Sequence, residues 1–553
     1  MSSSSFFRRT ARRLSPERRD QLKDLMARNK VARQLSQGPS ATAARALIAA
    51  GHEDGAERLV TSALGRRPDN PYLHRVAADL DARQGSISSA HDHAQRAAAT
   101  GGGPSGWNHA RKIAGRVRET DASWRPGVDR GTAPEATGGV LYLAKESRPF
   151  HNNGFCTRTH ESLLNLRRHG VDVFAVTMPG FPGNVGIDDA PPVSIVEDVE
   201  YRHLLPHAGS LTKTLALDEY LSLSTQVLAA EVARSRPRLL HIGSGHRGYE
   251  TALVGDAVAR WAGIPWLYEV RSFFETTWTA DARYRESAEY FHRRLRTETR
   301  MMHAADAVVT ISGPMRDEIV TTHGVDPSKV FVVPNAVDAT RFQPVEPDAA
   351  LRSRLGLGDA FVLGYVSNIS HPREGQEVLV AATARMRKAG RNVKTLLVGG
   401  GKRLAEMKKL AASLGVADHV VFTGELSFDE VSAYYGLIDL FVVPRIDERA
   451  GRLVSPMKPF EAMAMRIPVL VSDLPALVEI AGEGTRAATF HAGDADDLAR
   501  VAGALADDPA ARVRLVDAAE VWVREERTWS KVSEGFLDVY RTLVPALTQD
   551  VAT

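Results

Sequence analysis

From Val140 onward, short apolar runs alternate along the chain with stretches of helical periodicity. Uninterrupted runs of this kind predict parallel strands that are buried on both faces of a sheet and covered by helices. The series pauses near position 311 and restarts at Phe361, which indicates two successive doubly wound α/β units. A cleft between two such units, facing the carboxyl ends of their strands, is a place where ligands bind. The predicted strands are Val140–Ala144, Val171–Val176, Leu239–Ile242, Trp266–Val270, Ala307–Ile311, Phe361–Val366, Thr395–Val398, Val420–Phe422, Leu440–Val443 and Val469–Val471.

The part of the chain before these strands has a repeat instead. Small residues recur there at an offset of 34 positions: Gly51 with Gly85, Ala56 with Ala90, and Ala63 with Ala97. The segment Pro68–Tyr72 lies between them and interrupts a helix. The period resembles that of the tetratricopeptide helix–turn–helix repeat, although about two units fall below the three that a free-standing array needs. We therefore expect a helical appendage that either packs on its neighbour or binds a protein partner.

Six segments follow from these patterns. They are a basic N-terminal segment 1–34, a tetratricopeptide-like helical region 35–120, a linker 121–137 rich in Gly, Pro and Ala, a first lobe 138–340, a second lobe 341–525, and a C-terminal helix with its tail, 526–553, that crosses back. The turn Pro334–Asp338 is expected to join the two lobes.

Composition narrows the class of protein. The apolar fraction of 43% and the charged fraction of 25% are those of a soluble globular protein, and a net charge of +3 is too small to indicate nucleic acid binding. Residues 1–34 are the exception, with ten Lys or Arg against three Asp or Glu. This segment is either a solvated basic tail or a helix lying on anionic lipid. The single cysteine, Cys156, and the lack of a long apolar run or secretion signal predict a cytoplasmic protein, with peripheral contact at the inner membrane face left open.

The second half of the chain carries a familiar order of motifs. Pro334-Asn-Ala-Val-Asp338 with Phe342 and Pro344 resembles the P-N-G-V-D…F-x-P stretch of glycosyltransferase family 4. Further segments follow in the family's order: Val398–Gly401, Phe422–Gly424, Asp439–Pro444, Pro459–Ala464, Pro468-Val469 and Ser472-Asp473. The resemblance covers roughly 138–545 and implies a GT-B fold of two Rossmann-like lobes with an interlobe cleft. It also implies retaining, metal-independent transfer of a sugar from a UDP- or GDP-linked donor to a glycan, a lipid-linked sugar or a polymer, without a cofactor.

The stretch Ser455–Ala464 is the predicted centre of the donor site. By its position in the family motif, Glu461 is expected to accept hydrogen bonds from the donor ribose, since a carboxylate offers several acceptor sites to adjacent hydroxyls. The alternative is an acidic residue that favours a helix N-terminus. The family often has a second Glu eight positions earlier, where this chain has Leu453. Sugar selection is therefore expected either to differ from that of the family or to be handled by the backbone of Ser455, Pro456 and Met457.

The family's usual cleft cations are replaced as well. Asn368 stands where the family favours Arg, and Glu374 stands where it favours Lys. A departing nucleoside diphosphate gains negative charge, so other cations must face it. Lys458 and Arg445 are predicted to do so. The remaining donor-site candidates are Arg373 as an assisting cation, Arg452 as a fourth cation, and Ser367 with Asn368 as neighbours of the diphosphate. The alternative is that these are surface cations paired with Asp447, Glu448 and Glu374.

In the first lobe, two strand ends are candidate acceptor or phosphate sites. The loop with Asn153 and Gly154 precedes a helix, so its N–H groups suit an anion, and His160 follows on the same helix. Glu269 and Arg271 lie two residues apart at a strand end and are predicted to orient the acceptor or remove its proton. The alternatives are an ordinary βα turn and a plain ion pair.

We predict no metal site. Asp494-Ala-Asp496 has the D-x-D spacing but precedes an apolar helical stretch, which indicates a helix N-cap.

The competing functions are a sugar-nucleotide epimerase and a catalytically lapsed binding or scaffold protein.

Overall fold

The protein is described by a computed structural model covering residues 39–101, 103–427 and 430–547. The basic segment 1–34, with its predicted membrane contact, lies outside the described residues. The chain forms two compact units: one holds residues up to Trp124 together with Thr214–Tyr220 and Glu275–Thr297, and the other holds the remainder. None of the helices within the described residues combines the length and apolarity needed to span a bilayer.

The first unit consists mainly of helices, as the 34-residue period predicts. Its helices are α1 (Pro39–Ala49), α2 (Glu53–Arg66), α3 (Pro71–Gln84), α4 (Ile87–Ala99) and α5 (Gly103–Glu119). Gly51 and Gly85 occupy equivalent positions: Gly51 follows α1, Gly85 follows α3, and both have φ of 79°. The repeated alanines of α2 and α4 are buried. The two additional segments of this unit were not predicted from the sequence. One of them places Tyr290 in the core of α3, α4 and α5.

The second unit contains the two predicted lobes except for Thr214–Tyr220 and Glu275–Thr297. The sheet of the first lobe has eight strands in the order β3-β4-β2-β1-β5-β6-β7-β8, parallel except for the β3–β4 hairpin. These strands are β1 (Val140–Ala144), β2 (Val173–Thr177), β3 (Val193–Val196), β4 (Val199–His203), β5 (Leu239–Gly243), β6 (Trp266–Val270), β7 (Ala307–Thr310) and β8 (Val330–Val332). The helices after these strands are α6 (Gly154–Arg168), α7 (Leu211–Thr214), α8 (Leu217–Ser235), α9 (Glu250–Ala262), α10 (Glu289–Ala304) and α11 (Gly313–Thr321). Of these, α7, α8 and α10 lie partly in the first unit.

The second lobe has six parallel strands in the order β11-β10-β9-β12-β13-β14. They are β9 (Phe361–Val366), β10 (Val393–Val398), β11 (Val420–Phe422), β12 (Leu440–Val443), β13 (Val469–Ser472) and β14 (Ala488–Phe490). The helices are α12 (Ala349–Arg354), α13 (Gln376–Lys388), α14 (Leu404–Ser413), α15 (Val431–Tyr435), α16 (Arg449–Leu453), α17 (Lys458–Ala464), α18 (Pro475–Ala481), α19 (Ala495–Asp507) and α20 (Pro509–Glu526).

A last helix, α21 (Trp529–Leu543), returns from the second lobe to the core of the first. Phe536 and Tyr540 are fully buried there, and the Tyr540 hydroxyl lies 2.7 Å from Nδ1 of His241 on β5. The segment predicted to cross back is therefore packed against the first lobe.

All ten predicted strands are present, and the two-lobed α/β fold with an N-terminal helical region is confirmed. The β3–β4 hairpin was missed because β3 is an edge strand with no buried residue and β4 alternates between buried and half-buried positions. β8 and β14, each three residues long, were not predicted.

Candidate functional site

The cleft between the two lobes of the second unit brings the predicted donor stretch to the first helix of the first lobe. A Cβ atom added to Gly154, the first residue of α6, would lie only 3.2 Å from the terminal methyl of Met457. Asn153 caps this helix by accepting a hydrogen bond from the Cys156 amide at 3.0 Å. The N-terminus of α6 and the start of α17 therefore face each other across the cleft.

Glu461 is a largely buried carboxylate on α17 with a fixed orientation. Its Oε2 accepts a hydrogen bond from the Tyr435 hydroxyl at 2.7 Å, and Lys458 Nζ lies 3.1 and 3.2 Å from its two oxygens. Burial and the Glu461 charge raise the pKa of Tyr435 well above its usual range, so this phenol remains a donor. The arrangement presents one oriented carboxylate beside one half-buried ammonium.

Arg445 is buried at the end of β12 and pairs with Glu374 rather than lying open in the cleft. Its guanidinium donates to Glu374 at 3.2 and 3.3 Å, and Arg373 Nε donates to the same carboxylate at 3.2 Å. Burial acts to raise the pKa of Glu374, but the charges of Arg445 and Arg373 outweigh it and lower the pKa to about 2. A third Arg445 nitrogen donates to the Val454 carbonyl at 2.7 Å, immediately before the donor stretch.

Glu374 thus has a structural reason to replace the family's usual Lys: it is the counter-ion of two arginines. Together the three side chains carry one net positive charge. Arg452, the fourth predicted cation, pairs instead with Asp447 at 2.7 Å on the surface. The assignment of Arg445 and Arg373 to a diphosphate stays a prediction.

Ser367 and Asn368 lie in a loop after β9 that is held close to the loop after β10. Gly399 has φ of 133°, and a Cβ atom there would lie 2.1 Å from the Ser367 carbonyl oxygen, so no larger residue fits. The fully buried Gln376 donates to Ser367 Oγ at 3.0 Å and to the Asn368 carbonyl at 3.3 Å. The backbone of this loop is therefore rigidly placed.

In the first lobe, Glu269 is fully buried and receives hydrogen bonds from three side chains. The donors are Arg158 Nε at 2.8 Å, the Tyr142 hydroxyl at 2.8 Å, and Arg271 Nη2. Burial raises its pKa, but the charges of Arg271 and Arg158 hold the pKa well below the usual range. A carboxylate in this state is a poor proton acceptor, which favours the ion-pair alternative for Glu269.

Arg271 and His160 point away from open solvent. Arg271 Nη1 donates to the Phe155 carbonyl at 3.0 Å and to Thr159 Oγ1 at 2.8 Å, so it fixes the first turns of α6. His160 lies on the same helix, but its Nδ1 is 2.9 Å from the Tyr201 hydroxyl of β4, and burial lowers its pKa. The structure therefore does not bring His160 together with Gly154.

Comparison with known proteins decides the family. A family model described as a glycosyl transferase 4-like domain matches residues 153–336, and one described as glycosyl transferases group 1 matches residues 360–508. A D-inositol 3-phosphate glycosyltransferase of Actinosynnema mirum is 30% identical over 392 residues, covering 68% of this chain and 88% of that relative. The chain belongs to glycosyltransferase family 4.

Other members of family 4 match over shorter stretches. A GDP-mannose-dependent alpha-(1-6)-phosphatidylinositol monomannoside mannosyltransferase of Mycolicibacterium smegmatis is 31% identical over 235 residues, covering 42% of this chain and 60% of the relative. The chain spans 57–63% of the length of four curated relatives that it matches.

Solved structures show the same fold. Sucrose-phosphate synthase from Thermosynechococcus elongatus aligns with a TM-score of 0.60 at 21% identity, over 74% of this chain and 100% of that chain. Anabaena HepE in complex with UDP and glucose aligns with a TM-score of 0.56 at 16% identity, over 74% and 100% of the two chains. These neighbours confirm the GT-B fold.

Sequence reasoning did not single out Lys145, a cation whose side chain is only 10% exposed. Lys145 directly follows β1, and its Nζ lies 3.7 Å from the centroid of the Phe155 ring and 5.4 Å from that of Phe274. Burial lowers the pKa of Lys145, while Glu146 at 3.8 Å opposes that shift. Its position at the carboxyl end of a predicted strand is the signal that would have identified it.

In 39–101, 103–427 and 430–547, no group of three or more His, Cys, Asp or Glu side chains is arranged to hold a metal ion. Asp494 caps α19 by accepting from the amides of Asp496 and Asp497 at 2.8 and 3.0 Å, which confirms the N-cap prediction. Metal-independent chemistry itself stays a prediction.

Proposed function

We propose that this family-4 member transfers a sugar from a UDP- or GDP-linked donor to a hydroxyl acceptor, with retention of anomeric configuration. The observation that carries the proposal is the pairing of Glu461 with Lys458 on α17, facing the N-terminus of α6 across the interlobe cleft. This places a carboxylate suited to a ribose beside a cation suited to a diphosphate.

The donor would bind mainly through the second lobe. Glu461 is held by Tyr435 and so presents its acceptor oxygens in one direction, which suits two adjacent ribose hydroxyls. Lys458 would compensate the charge that develops on the departing diphosphate, assisted by Arg373, which is one-third exposed. Arg445, being buried, would act by holding Arg373's partner Glu374 and the Val454 carbonyl in place.

The first lobe would contribute the acceptor side. The amide groups at the start of α6 suit an anionic or strongly polar group. No attack by an enzyme carboxylate is invoked, because Glu269 is buried and its oxygens are engaged by Arg158, Tyr142 and Arg271. We propose instead that the acceptor attacks on the face from which the diphosphate leaves, and that a phosphate oxygen takes its proton.

The relatives support the choice of donors without identifying one for this chain. The Mycolicibacterium relative is named as GDP-mannose-dependent, and HepE was solved with UDP. Both nucleotide classes therefore belong in the first screen. The acceptor class stays as predicted from the family: a glycan, a lipid-linked sugar or a polymer.

Calorimetric titration of the full chain with UDP- and GDP-sugars in EDTA tests the donor, followed by transfer assays with candidate acceptors. We expect one nucleotide class to bind at one site per chain without added metal. A catalytically lapsed binding protein would bind the donor but release no nucleoside diphosphate with any acceptor. A strict metal requirement for transfer would contradict the metal-free mechanism.

A further inference from the structure

A chain of buried polar contacts connects the first lobe to the donor stretch of the second. Asn335 lies between the lobes, and its Nδ2 donates to the Ser455 carbonyl at 2.7 Å. Asn335 and Ser455 are 6% and 5% exposed. The first residue of the donor stretch is thus hydrogen-bonded, inside the protein, to the segment that joins the two lobes.

The orientation of the Asn335 amide is set by Arg158 of α6. Arg158 Nη1 donates to Asn335 Oδ1 at 3.1 Å and to the Pro334 carbonyl at 2.8 Å, while Nη2 donates to the Val333 carbonyl at 2.7 Å. An amide whose oxygen accepts from a guanidinium must present its NH₂ group on the other side. That group is the one that reaches Ser455.

Glu269 completes the connection, because it binds Arg158 Nε at 2.8 Å. We call Glu269, Arg158 and Asn335 the interlobe latch. Burying two charges and an amide costs desolvation free energy that an apolar cluster would not, so such a network indicates a role in specifying geometry. The α6 helix that carries Arg158 also carries Gly154, which faces Met457 across the cleft.

We propose that Asn335 is a positioning residue for sugar transfer, because it fixes Ser455–Lys458 against the first lobe; this inference rests on the proposed function. Donor affinity arises mainly from Glu461 and Lys458 within the second lobe, so the latch should affect turnover more than donor binding. A displacement of about 1 Å at a reacting centre costs up to roughly 100-fold in rate.

The test uses the full chain with Asn335→Asp, which keeps an acceptor for Arg158 but has no hydrogen to donate to Ser455. Asn335→Ala, which removes both contacts, serves as a second variant. The matched control is Asn392→Asp: Asn392 is exposed, donates to Asp359 at 2.9 Å and accepts from Arg387 at 3.3 Å, far along the sequence from the donor stretch. Donor Kd by calorimetry, kcat of transfer, and Tm are measured for each protein.

For Asn335→Asp we expect donor Kd within about threefold of the parent and kcat lower by about tenfold or more, with the control unchanged. Parent-like kcat in both Asn335 variants would overturn the latch. So would parallel losses in Kd and kcat that follow the fall in Tm, because these indicate a purely structural role. If the parent chain itself binds no nucleotide sugar, the proposed function fails instead, and that result is seen before any variant is compared.

Discussion

At the scale of single residues, the proposed donor site consists of charges that neutralise one another. Lys458 and Glu461 form an ion pair three residues apart on α17, and Arg445 with Arg373 surrounds Glu374. Under the proposed function, Lys458 and Arg373 would turn from their carboxylate partners towards the diphosphate when the donor binds.

Lys458→Ala should lower kcat of transfer by about 100-fold, because one preorganised cation facing developing charge is removed. The matched control is Lys531→Ala, since Lys531 pairs with Glu534 at 2.8 Å with the same spacing on an exposed helix face. Steady-state kinetics with the identified donor measures both. Equal kcat for the two variants would remove Lys458 from the site.

Glu461→Gln should raise the donor Kd by about tenfold while Tyr435 keeps a hydrogen-bond acceptor, because the amide offers fewer acceptor sites to the ribose. Glu534→Gln, in the other pair, should leave the Kd unchanged. Calorimetry measures the donor Kd of both variants. An unaltered Kd for Glu461→Gln would show that the ribose is bound elsewhere.

Glu374 gives a prediction for stability against pH. Its pKa is lowered from 4.5 to about 2 in the folded protein, so ionised Glu374 stabilises the fold fully above its unfolded pKa near 4.5. That contribution is lost as the pH falls from 4.5 towards 2. At pH 7, Glu374→Gln should cost roughly 3–5 kcal/mol, because it leaves Arg445 buried without its partner.

Denaturant unfolding of parent and Glu374→Gln at pH 7 and at pH 3 measures this difference. The gap between the two proteins should narrow at the lower pH. A gap that stays constant, or widens, would mean that Glu374 is not the carboxylate that stabilises Arg445.

At the scale of elements, the sequence was sufficient where burial is continuous. β1, β9 and β12 begin and end where their apolar runs do, because strands buried on both faces leave no polar position to interrupt the run. β6 also has its predicted bounds, although it includes the buried Glu269. The edge strand β3 has no buried residue, so its pattern resembles that of a loop. Local sequence specified the buried strands but not the edge strand β3.

The site residues were harder to assign because their partners are distant in sequence. Glu374 and Arg445 are separated by 71 positions, and Arg158 and Asn335 by 177. Motif order located Glu461 and Lys458 on α17, yet nothing local indicates that Arg271 binds the first turns of α6 or that Glu269 is fully buried. Those facts depend on the packing of whole strands and helices.

The helical unit offers a prediction at the same scale. Gly51 and Gly85 have the same φ of 79°, but a Cβ atom at Gly85 would lie 2.4 Å from the Trp278 ring, whereas one at Gly51 meets nothing within 4 Å. Gly51→Ala should therefore cost only about 1 kcal/mol for its backbone conformation. Gly85→Ala should cost a further 1–3 kcal/mol or so for overpacking.

Thermal unfolding of the two alanine variants tests this pair. Similar losses for both would show that Trp278 does not pack on the turn after α3. A larger loss for Gly85→Ala would also support the assignment of Glu275–Thr297 to the helical unit, since Trp278 belongs to that segment.

At the scale of the whole molecule, the two lobes of the second unit are connected through Asn335 and through α21, which returns to the core of the first lobe. Lobe placement in this chain thus relies on specific buried contacts as well as on the linking segment. The helical unit is a separate element whose proposed role as a packing or partner-binding appendage stays a prediction.

The proposed function depends on binding of a nucleotide diphosphate sugar at the Glu461–Lys458 pair. Calorimetric titration of the full chain with UDP- and GDP-sugars in EDTA is the most direct measurement. We expect saturable binding of one nucleotide class at one site per chain, weakened in Glu461→Gln and preserved in Glu534→Gln. No binding of either class, or binding unaffected by Glu461→Gln, would contradict it.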